Sequence, residues 1–242
     1  EQYIPSAAIS TQSAENLTAA LESDPNTEVF MEQFCKTLPD APSFNVVGEI
    51  RGSEFPNRYI TVGGHLDSWD LVDGAHDDGT GVVQSIEVLD LFNKLGIRPK
   101  HTIRAVLFMN EENGLRGGMK YAELAEANQE IHIAALESDA GGHTPRGFSF
   151  DPSGKHYEML MSWAPLFEPY GAGRFTTGGS GADIGPLKDG AISLMGYRPD
   201  SQRYFDYHHS TQDTFDKVNR RELVLGSATM AGIVYMIDQY IQ

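Results

Sequence analysis

The residues best suited to chemistry lie in one short stretch, residues 59–81, which opens as a β-branched apolar run and breaks at Gly63 and Gly64. Seven aspartate and histidine residues then occupy fourteen positions: His65, Asp67, Asp70, Asp73, His76, Asp77 and Asp78. Carboxylates at this density repel one another and are costly to desolvate unless a cation lies among them. The stretch therefore predicts a metal site.

The pair His65 and Asp67 indicates how a ligand would be held. Residues two apart at the end of a strand point to the same side, and a metal-bound imidazole usually donates its second N–H to a carboxylate. We therefore predict His65 as a ligand and Asp67 as the residue that orients it. The small residues Gly79, Thr80 and Gly81 would let a helix begin close beneath the site.

Further acidic and histidine clusters follow other predicted strands. Glu111 and Glu112 come after the apolar run 102–109, Asp139 comes after the run 131–136, and His208 and His209 lie in a later loop. Open α/β sheets bind ligands beyond the carboxyl ends of their strands, so we expect the clusters to converge there.

Strands and helices alternate along the chain. Amphipathic patterns at 82–95 and 115–127 predict helices between the strands, and a helix from about 221 to 241 closes the chain. The alternation predicts an α/β sandwich with a largely parallel central sheet. Further elements are predicted: a short strand and then a helix capped by Ser13 before residue 27, a hairpin of strands 44–50 and 59–64, a helical region 153–170 broken at Pro165, and a strand 191–195.

Imidazole and carboxylate ligands suit zinc or a similar divalent ion, and the set is too acidic for one zinc alone. Two metals roughly 3.5–4 Å apart that share a carboxylate can activate a water and polarise a carbonyl. Glu111 and Glu112 point different ways, so one can ligate while the other takes the proton of the water and passes it to a leaving amine. This chemistry is amide hydrolysis.

The composition excludes several other classes. A net charge of -16 argues against nucleic acid or an anionic membrane as a partner. The single cysteine, Cys35, excludes an internal disulfide framework, and no apolar stretch approaches the length of a membrane span. Outside the motifs, His101, His132 and His156 are predicted at the surface or at strand edges, and His76, His143, Asp70 and Asp73 as solvent-facing or neighbouring polar residues.

Five motifs in order, HLD, DDGTG, NEENG, ESDAGG and HHSTQDT, span residues 65–214. Together they resemble the co-catalytic dizinc exopeptidases, which include secreted leucine-type aminopeptidases and glutamate carboxypeptidase, and they are most similar to the plasma glutamate carboxypeptidase (carboxypeptidase Q) branch. The resemblance implies a three-layer zinc-exopeptidase fold and two zinc ions. It assigns His65 and Asp139 to one zinc, Glu112 and His209 to the other, Asp77 to both, and Glu111 as the general base.

The resemblance also carries finer expectations. It implies a cis peptide between Asp77 and Asp78, and His208 stands where simple aminopeptidases of the family place an oxyanion-stabilising tyrosine. Asp183 and Arg198 are candidate contacts for substrate termini.

Domain organisation and setting follow from the same resemblance. Residues 1–27 resemble the tail of a protease-associated insert domain with its connection, and residues 28–242 resemble a catalytic domain that lacks its N-terminal segment. The resemblance implies a peptide or dipeptide substrate, a secreted or periplasmic location, and a homodimer as one allowed oligomeric state.

Two alternative functions remain open at this point. One is a single-zinc acyl transferase similar to glutaminyl cyclase, and the other is a non-catalytic, receptor-like relative. The complete set of ligands and the presence of Glu111 favour the dizinc exopeptidase, but neither amine-reading nor carboxylate-reading specificity follows from the motifs.

Overall fold

The apolar runs after Ser43 form a sheet in the computed structural model, which describes residues 4–241. Its strands are β1 (Val46–Ile50), β2 (Phe55–His65), β3 (His101–Phe108), β4 (Ile131–Glu137), β5 (Pro145–Phe150), β6 (Arg174–Thr177) and β7 (Ser193–Pro199). The order across the sheet is β1-β3-β2-β4-β7-β5-β6. The pairs β2–β3, β2–β4, β4–β7 and β5–β6 are parallel, whereas β1–β3 and β5–β7 are antiparallel. The predicted mixed, mostly parallel sheet is confirmed.

Helices of the second unit cover both faces of this sheet. The α-helices of the described residues are α1 (Thr11–Ser23), which lies in the first unit, and α2 (Thr80–Lys94), α3 (Arg116–Ala127), α4 (Tyr157–Met161), α5 (Ala164–Phe167), α6 (Tyr204–Tyr207) and α7 (Arg220–Tyr240) in the second. On one face, α2 and α7 pack Val88, Phe92 and Ile233 against Ile60 and Ile103. On the other face, Tyr121 of α3 packs against the side chains that alternate to that side, including those of Val106 and Phe108. The three-layer sandwich is therefore confirmed.

The predicted hairpin is wrong. Strands β1 and β2 do not pair with each other, because β3 lies between them, antiparallel to β1 and parallel to β2. The connection after β1 is held against the start of β3, where the N–H of Gly52 donates to Thr102 Oγ1 at 3.0 Å. A Cβ at Gly52 would collide with the backbone of His101, so this close approach of the two backbone segments requires glycine.

Other local predictions also need correction. The helix before residue 27 is capped by Ser10, whose side chain accepts from Ser13 N, and the described residues before it form no strand. The break predicted in the region 153–170 is present, between the short helices α4 and α5 and just before Pro165. Strands β5 and β6 were not predicted.

Residues 4–42 form a separate unit, and the second unit begins at Ser43. Helix α1 belongs to the first unit and buries none of its residues. The assignment of residues 1–27 and 28–242 to different domains stays a prediction. Within residues 4–241, no helix is long and apolar enough to span a membrane.

His101 is fully buried, which contradicts its predicted surface position. Its partner is Asp238, a buried residue of α7, which accepts from His101 N at 2.8 Å, His101 Nδ1 at 3.1 Å and Lys100 N at 3.1 Å. Burial alone would raise the pKa of Asp238, but these hydrogen bonds outweigh it and lower that pKa. The contact ties the last helix to the start of β3.

Replacing Asp238 by alanine should lower the free energy of unfolding by about 3 kcal/mol at neutral pH, because three buried donors lose their acceptor. A lowered carboxylate pKa contributes stability above the unfolded value of about 4 and loses it as pH falls through the folded pKa. Urea denaturation of both proteins should therefore show a difference that shrinks below about pH 4. Asp206→Ala, at an exposed position of α6, is the control and should change stability by less than about 0.5 kcal/mol. A similar small change for Asp238→Ala would contradict the assignment.

Candidate active site

The candidate site lies at the carboxyl ends of the three adjacent parallel strands β3, β2 and β4. His65 is the last residue of β2, Glu111 and Glu112 lie in the turn after β3, and Asp139 follows β4 by two residues. Asp77 lies in the segment Ala75–Gly79, which leads into α2 and in which Asp77 and Asp78 have non-helical backbone angles. The predicted clusters therefore meet at one edge of the sheet.

The carboxylate of Asp77 lies between two histidines. Its Oδ1 is 3.2 Å from His65 Nε2, and its Oδ2 is 3.1 Å from His209 Nε2. Asp77 is nearly fully buried. One carboxylate thus presents a separate oxygen to each imidazole, as a ligand shared by two cations would.

Each histidine also faces a second acid. Asp139 Oδ1 lies 3.6 Å from His65 Nε2, and Glu112 Oε2 lies 3.1 Å from His209 Nε2. The five residues assigned as metal ligands, His65, Asp77, Glu112, Asp139 and His209, therefore form two sets that meet at Asp77.

Two buried carboxylates outside the two sets of ligands hold the backbone around Asp77. Asp213 accepts from His76 N at 2.7 Å and from Asp77 N at 3.0 Å. Asp78 accepts from the N–H groups of His65 and Gly81, both at 3.0 Å, and thereby ties the end of β2 to the start of α2. The peptide bond between Asp77 and Asp78 is cis, as the resemblance predicted.

Gly81 permits the close approach that these contacts require. A Cβ at this position would collide with the carbonyl oxygen of Ser138 and with the Asp78 carboxylate. The helix can thus begin directly beneath the site, which confirms the role predicted for the small residues after the acids.

Asp67 orients His65 through a different atom from the one predicted. His65 Nδ1 lies 2.8 Å from the backbone carbonyl oxygen of Asp67, whereas the nearer carboxylate oxygen is 3.8 Å away. The carboxylate instead accepts from Glu111 N at 3.0 Å and Glu112 N at 3.3 Å. Asp67 therefore joins the turns after β2 and β3, and its backbone fixes the imidazole.

The electrostatics of the site favour a cation. Burial would lower the pKa of His65, but the nearby carboxylates of Asp139 and Asp77 outweigh it and raise that pKa. Burial raises the pKa of Glu111 and of Asp78, and the charge of Asp139 adds to both shifts. Surroundings that attract protons in this way also attract divalent cations.

The ligand atoms at the site are of the types that zinc binds. Asp77 Oδ2 and Glu112 Oε1 are buried without a hydrogen-bond partner, although buried carboxylate oxygens are normally satisfied. Imidazole nitrogens and carboxylate oxygens are ordinary zinc ligands, and a cation between them would satisfy these oxygens. The residues present therefore fit the metal.

A cavity of about 410 Å³ opens onto the two sets of ligands. It is lined by Glu111, His208, Tyr204 and Trp69, and by four of the five ligand residues, Asp77, Glu112, Asp139 and His209. His208 Nε2 lies 3.4 Å from Asp77 Oδ2, and its ring stacks on that of His209 with centroids 3.6 Å apart. The predicted catalytic residues Glu111 and His208 thus face the same space as the ligands.

Two residues near the site were not predicted. Asp213 belongs to the motif HHSTQDT, so its place in the motif was a usable signal. Tyr204 lies in α6, and no pattern in the sequence marks it.

Of the residues predicted as solvent-facing or polar neighbours, His76 and His143 are both buried, with ring centroids 4.4 Å apart.

The glycine-rich loop after β6 lies beside the site. Glu137, at the end of β4, accepts from Ala182 N at 2.8 Å and from Ile184 N at 2.9 Å and so holds this loop. Arg198, together with Asp139, lines a second cavity of about 460 Å³. Asp183 is fully buried and lines neither this second cavity nor the 410 Å³ cavity, so the substrate contact predicted for it is not supported.

Comparisons with known proteins agree with this geometry. The sequence model of Peptidase family M28 matches residues 45–234. Carboxypeptidase Q from Mus musculus is 35% identical over 234 residues, which cover 97% of this chain and 50% of the relative. The chain spans about half the length of the carboxypeptidase Q relatives that it matches.

Solved structures give the same picture. A peptidase M28 precursor from Shewanella amazonensis shares 34% identity and a TM-score of 0.74, over 80% of this chain and 44% of that one. A zinc aminopeptidase from Bacillus subtilis shares the fold, with 17% identity and a TM-score of 0.65 over 82% of this chain and 51% of that one.

Zinc should stabilise the folded protein through Asp77. A ligand at about 100 times its dissociation constant adds about 2.7 kcal/mol, which raises the melting temperature by about 5–10 °C for a chain of this size. Asp77→Ala should lose most of this shift in differential scanning fluorimetry, because it removes the oxygens that face both histidines. Asp73→Ala changes an exposed aspartate of the same loop and should keep the shift. Equal shifts in the two variants would contradict the metal site.

Proposed function

We propose that this chain, which belongs to Peptidase family M28, is a dizinc metallo-exopeptidase that hydrolyses the terminal peptide bond of dipeptides or short peptides. The observation that carries the proposal is the position of Asp77, whose two carboxylate oxygens lie 3.2 and 3.1 Å from the imidazoles of His65 and His209. A single-metal site would not need both oxygens aimed in this way.

The two sets of ligands define the proposed metal centre. His65 and Asp139 would hold one zinc, Glu112 and His209 would hold the other, and Asp77 would belong to both. When bound, such a pair supplies an activated water and a Lewis acid for the carbonyl oxygen of the substrate. The Asp67 backbone fixes the tautomer of His65 by accepting from Nδ1, which leaves Nε2 free to ligate.

Glu111 is the proposed general base. Its neighbour Glu112 faces His209, whereas no ligand set includes the Glu111 carboxylate, which lines the cavity. Asp67 holds the N–H groups of both glutamates, so the two side chains keep their different directions. Glu111 can therefore take a proton from the attacking water and deliver it to the nitrogen of the leaving amine, which balances the hydrolysis.

His208 is the proposed donor to the developing oxyanion. Its ring lines the cavity next to Asp77 and is held by the stack on His209. An imidazole N–H that points at the carbonyl oxygen supplies the hydrogen bond that simple aminopeptidases of the family obtain from tyrosine. Tyr204, whose side chain also lines the cavity, packs against His208 with ring centroids 5.0 Å apart and limits its movement.

The alternative of a single-zinc acyl transferase is less well supported. A single zinc would be held by one of two pairs, Asp139 with His65 or Glu112 with His209. The other pair would then have no metal ion to bind. Both pairs are complete, and both converge on Asp77.

Glu111→Gln should lower kcat for dipeptide hydrolysis by about 10²–10⁴-fold, because glutamine cannot accept the proton. Stabilisation by zinc should persist, since Glu111 belongs to neither ligand set. Steady-state assays with a panel of dipeptides measure the first effect. Glu123→Gln, on the exposed side of α3, is the matched control and should retain full activity. If Glu111→Gln kept more than about a tenth of the activity of the unaltered protein, Glu111 would not be the base.

A further inference from the structure

The turn that carries Asp139 has little support from the rest of the backbone. It follows β4 over residues 139–142. In the part of the chain that the structure describes, its main chain makes one hydrogen bond, in which Gly142 N donates to His76 Nδ1 at 3.1 Å. The imidazole of His76 is therefore the contact that holds this turn, and with it Asp139, at the metal centre.

His76 is itself firmly anchored. It is fully buried, and its backbone N–H donates to Asp213 Oδ1 at 2.7 Å. The other oxygen of the same carboxylate accepts from the N–H of Asp77, the next residue, at 3.0 Å. One anchored segment thus presents the Asp77 carboxylate to the two ligand sets and the His76 imidazole to Gly142.

The ring of His76 also contacts two other aromatic rings. It stacks on His143 with centroids 4.4 Å apart and on Tyr207 with centroids 5.4 Å apart. His143 is the residue after Gly142, and Tyr207 lies two residues before His209. Three segments that carry proposed zinc ligands therefore meet at this one imidazole.

Ring contacts alone do not require histidine at this position. Phenylalanine could stack on the same neighbours, but it has no nitrogen to accept a hydrogen bond. A neutral imidazole has one nitrogen with a free lone pair, and the Gly142 N–H assigns that lone pair to Nδ1. The hydrogen bond to Gly142 therefore accounts for the histidine, whereas packing does not.

We propose that His76 is a positioning residue, which fixes Asp139 relative to Asp77 by accepting the N–H of Gly142. His76 belongs to neither ligand set and lines neither of the two cavities, so it acts on the metal site through the backbone of the turn. The inference rests on the proposed function, and it names a residue outside the ligand sets on which the zinc site of His65 and Asp139 depends.

Substitutions of His76 separate the hydrogen bond from the ring. In His76→Asn the side-chain oxygen is as many bonds from the backbone as Nδ1 is, so it can accept from Gly142. His76→Leu has nearly the shape of asparagine and no acceptor. Competition with a zinc chelator measures the affinity for each zinc equivalent. We expect His76→Leu to weaken one equivalent by about 10–100-fold, the range typical of residues that orient metal ligands, and His76→Asn to stay within about threefold of the unaltered protein.

A double-mutant cycle identifies the zinc site that is affected. Asp139→Ala removes the ligand that the turn carries, so adding His76→Leu to it should weaken zinc binding by less than about threefold further. In Glu112→Ala, which removes a ligand of the other site, His76→Leu should keep its effect of about 10–100-fold. A merely structural role of His76 would weaken zinc binding equally in both backgrounds.

Two further variants control for the loss of packing. His76→Phe keeps an aromatic ring without the acceptor, so it should behave as His76→Leu does, and it replaces that variant if leucine prevents folding. His132→Leu removes another imidazole, whose side chain is 5% exposed, at the opposite end of β4 from Asp139. It should leave the affinity for both zinc equivalents within about threefold of the unaltered value. A loss as large as that in His76→Leu would assign the effect to general destabilisation and overturn the positioning role.

Other outcomes separate the inference from the proposed function. If the acceptor-free variants bind zinc as tightly as the unaltered protein, or if His76→Asn loses as much affinity as they do, the role of His76 is overturned while the dizinc exopeptidase stands. If the unaltered protein binds a single zinc whose affinity depends on the acceptor, or binds zinc in this way without cleaving dipeptides, the role of His76 is supported and the proposed function fails. If it binds no zinc, both are overturned.

Discussion

The main physical constraint on this structure is the burial of several carboxylates at one edge of a sheet. Asp77 lies at the centre of this constraint, because its two oxygens face the imidazoles of His65 and His209. Without positive charge between them, burying so many acids would be costly. The parallel strands β2, β3 and β4 concentrate the acids where their carboxyl ends meet, and a pair of cations would offset the repulsion. Bound cations would thus lower the electrostatic cost of the same arrangement of acids that favours their binding.

Other acids of the site hold the backbone and leave metal binding to the ligand sets. Asp67 holds the turn with the two glutamates, Asp78 joins β2 to α2, Asp213 holds the backbone of Asp77, and Glu137 holds the glycine-rich loop. Each of these carboxylates accepts two backbone N–H groups, so each connects segments that would otherwise move independently. Rigid placement of ligands and base is what precise proton transfer requires.

The sequence predicted the positions of His65, Glu112 and Asp139 because each follows an apolar run, and the ends of parallel strands must meet. It did not predict that β3 separates β1 from β2, since pairing between distant strands depends on packing across the whole sheet. Nor could it find the partner of His101, because Asp238 is 137 residues away. The spacing of His65 and Asp67 predicted their contact, but not that a backbone carbonyl would replace the carboxylate. A pattern of residue types indicates which groups come together, and the geometry decides which atom makes the bond.

The central claim is that Asp77 joins two metal sites. Anomalous scattering at the zinc edge, from crystals of the zinc-loaded protein, tests it most directly because it counts and places the ions at once. The account predicts two peaks roughly 3.5–4 Å apart, one beside His65 and Asp139 and the other beside Glu112 and His209, with the Asp77 carboxylate between them. A single peak, or two peaks that do not share Asp77, would contradict it.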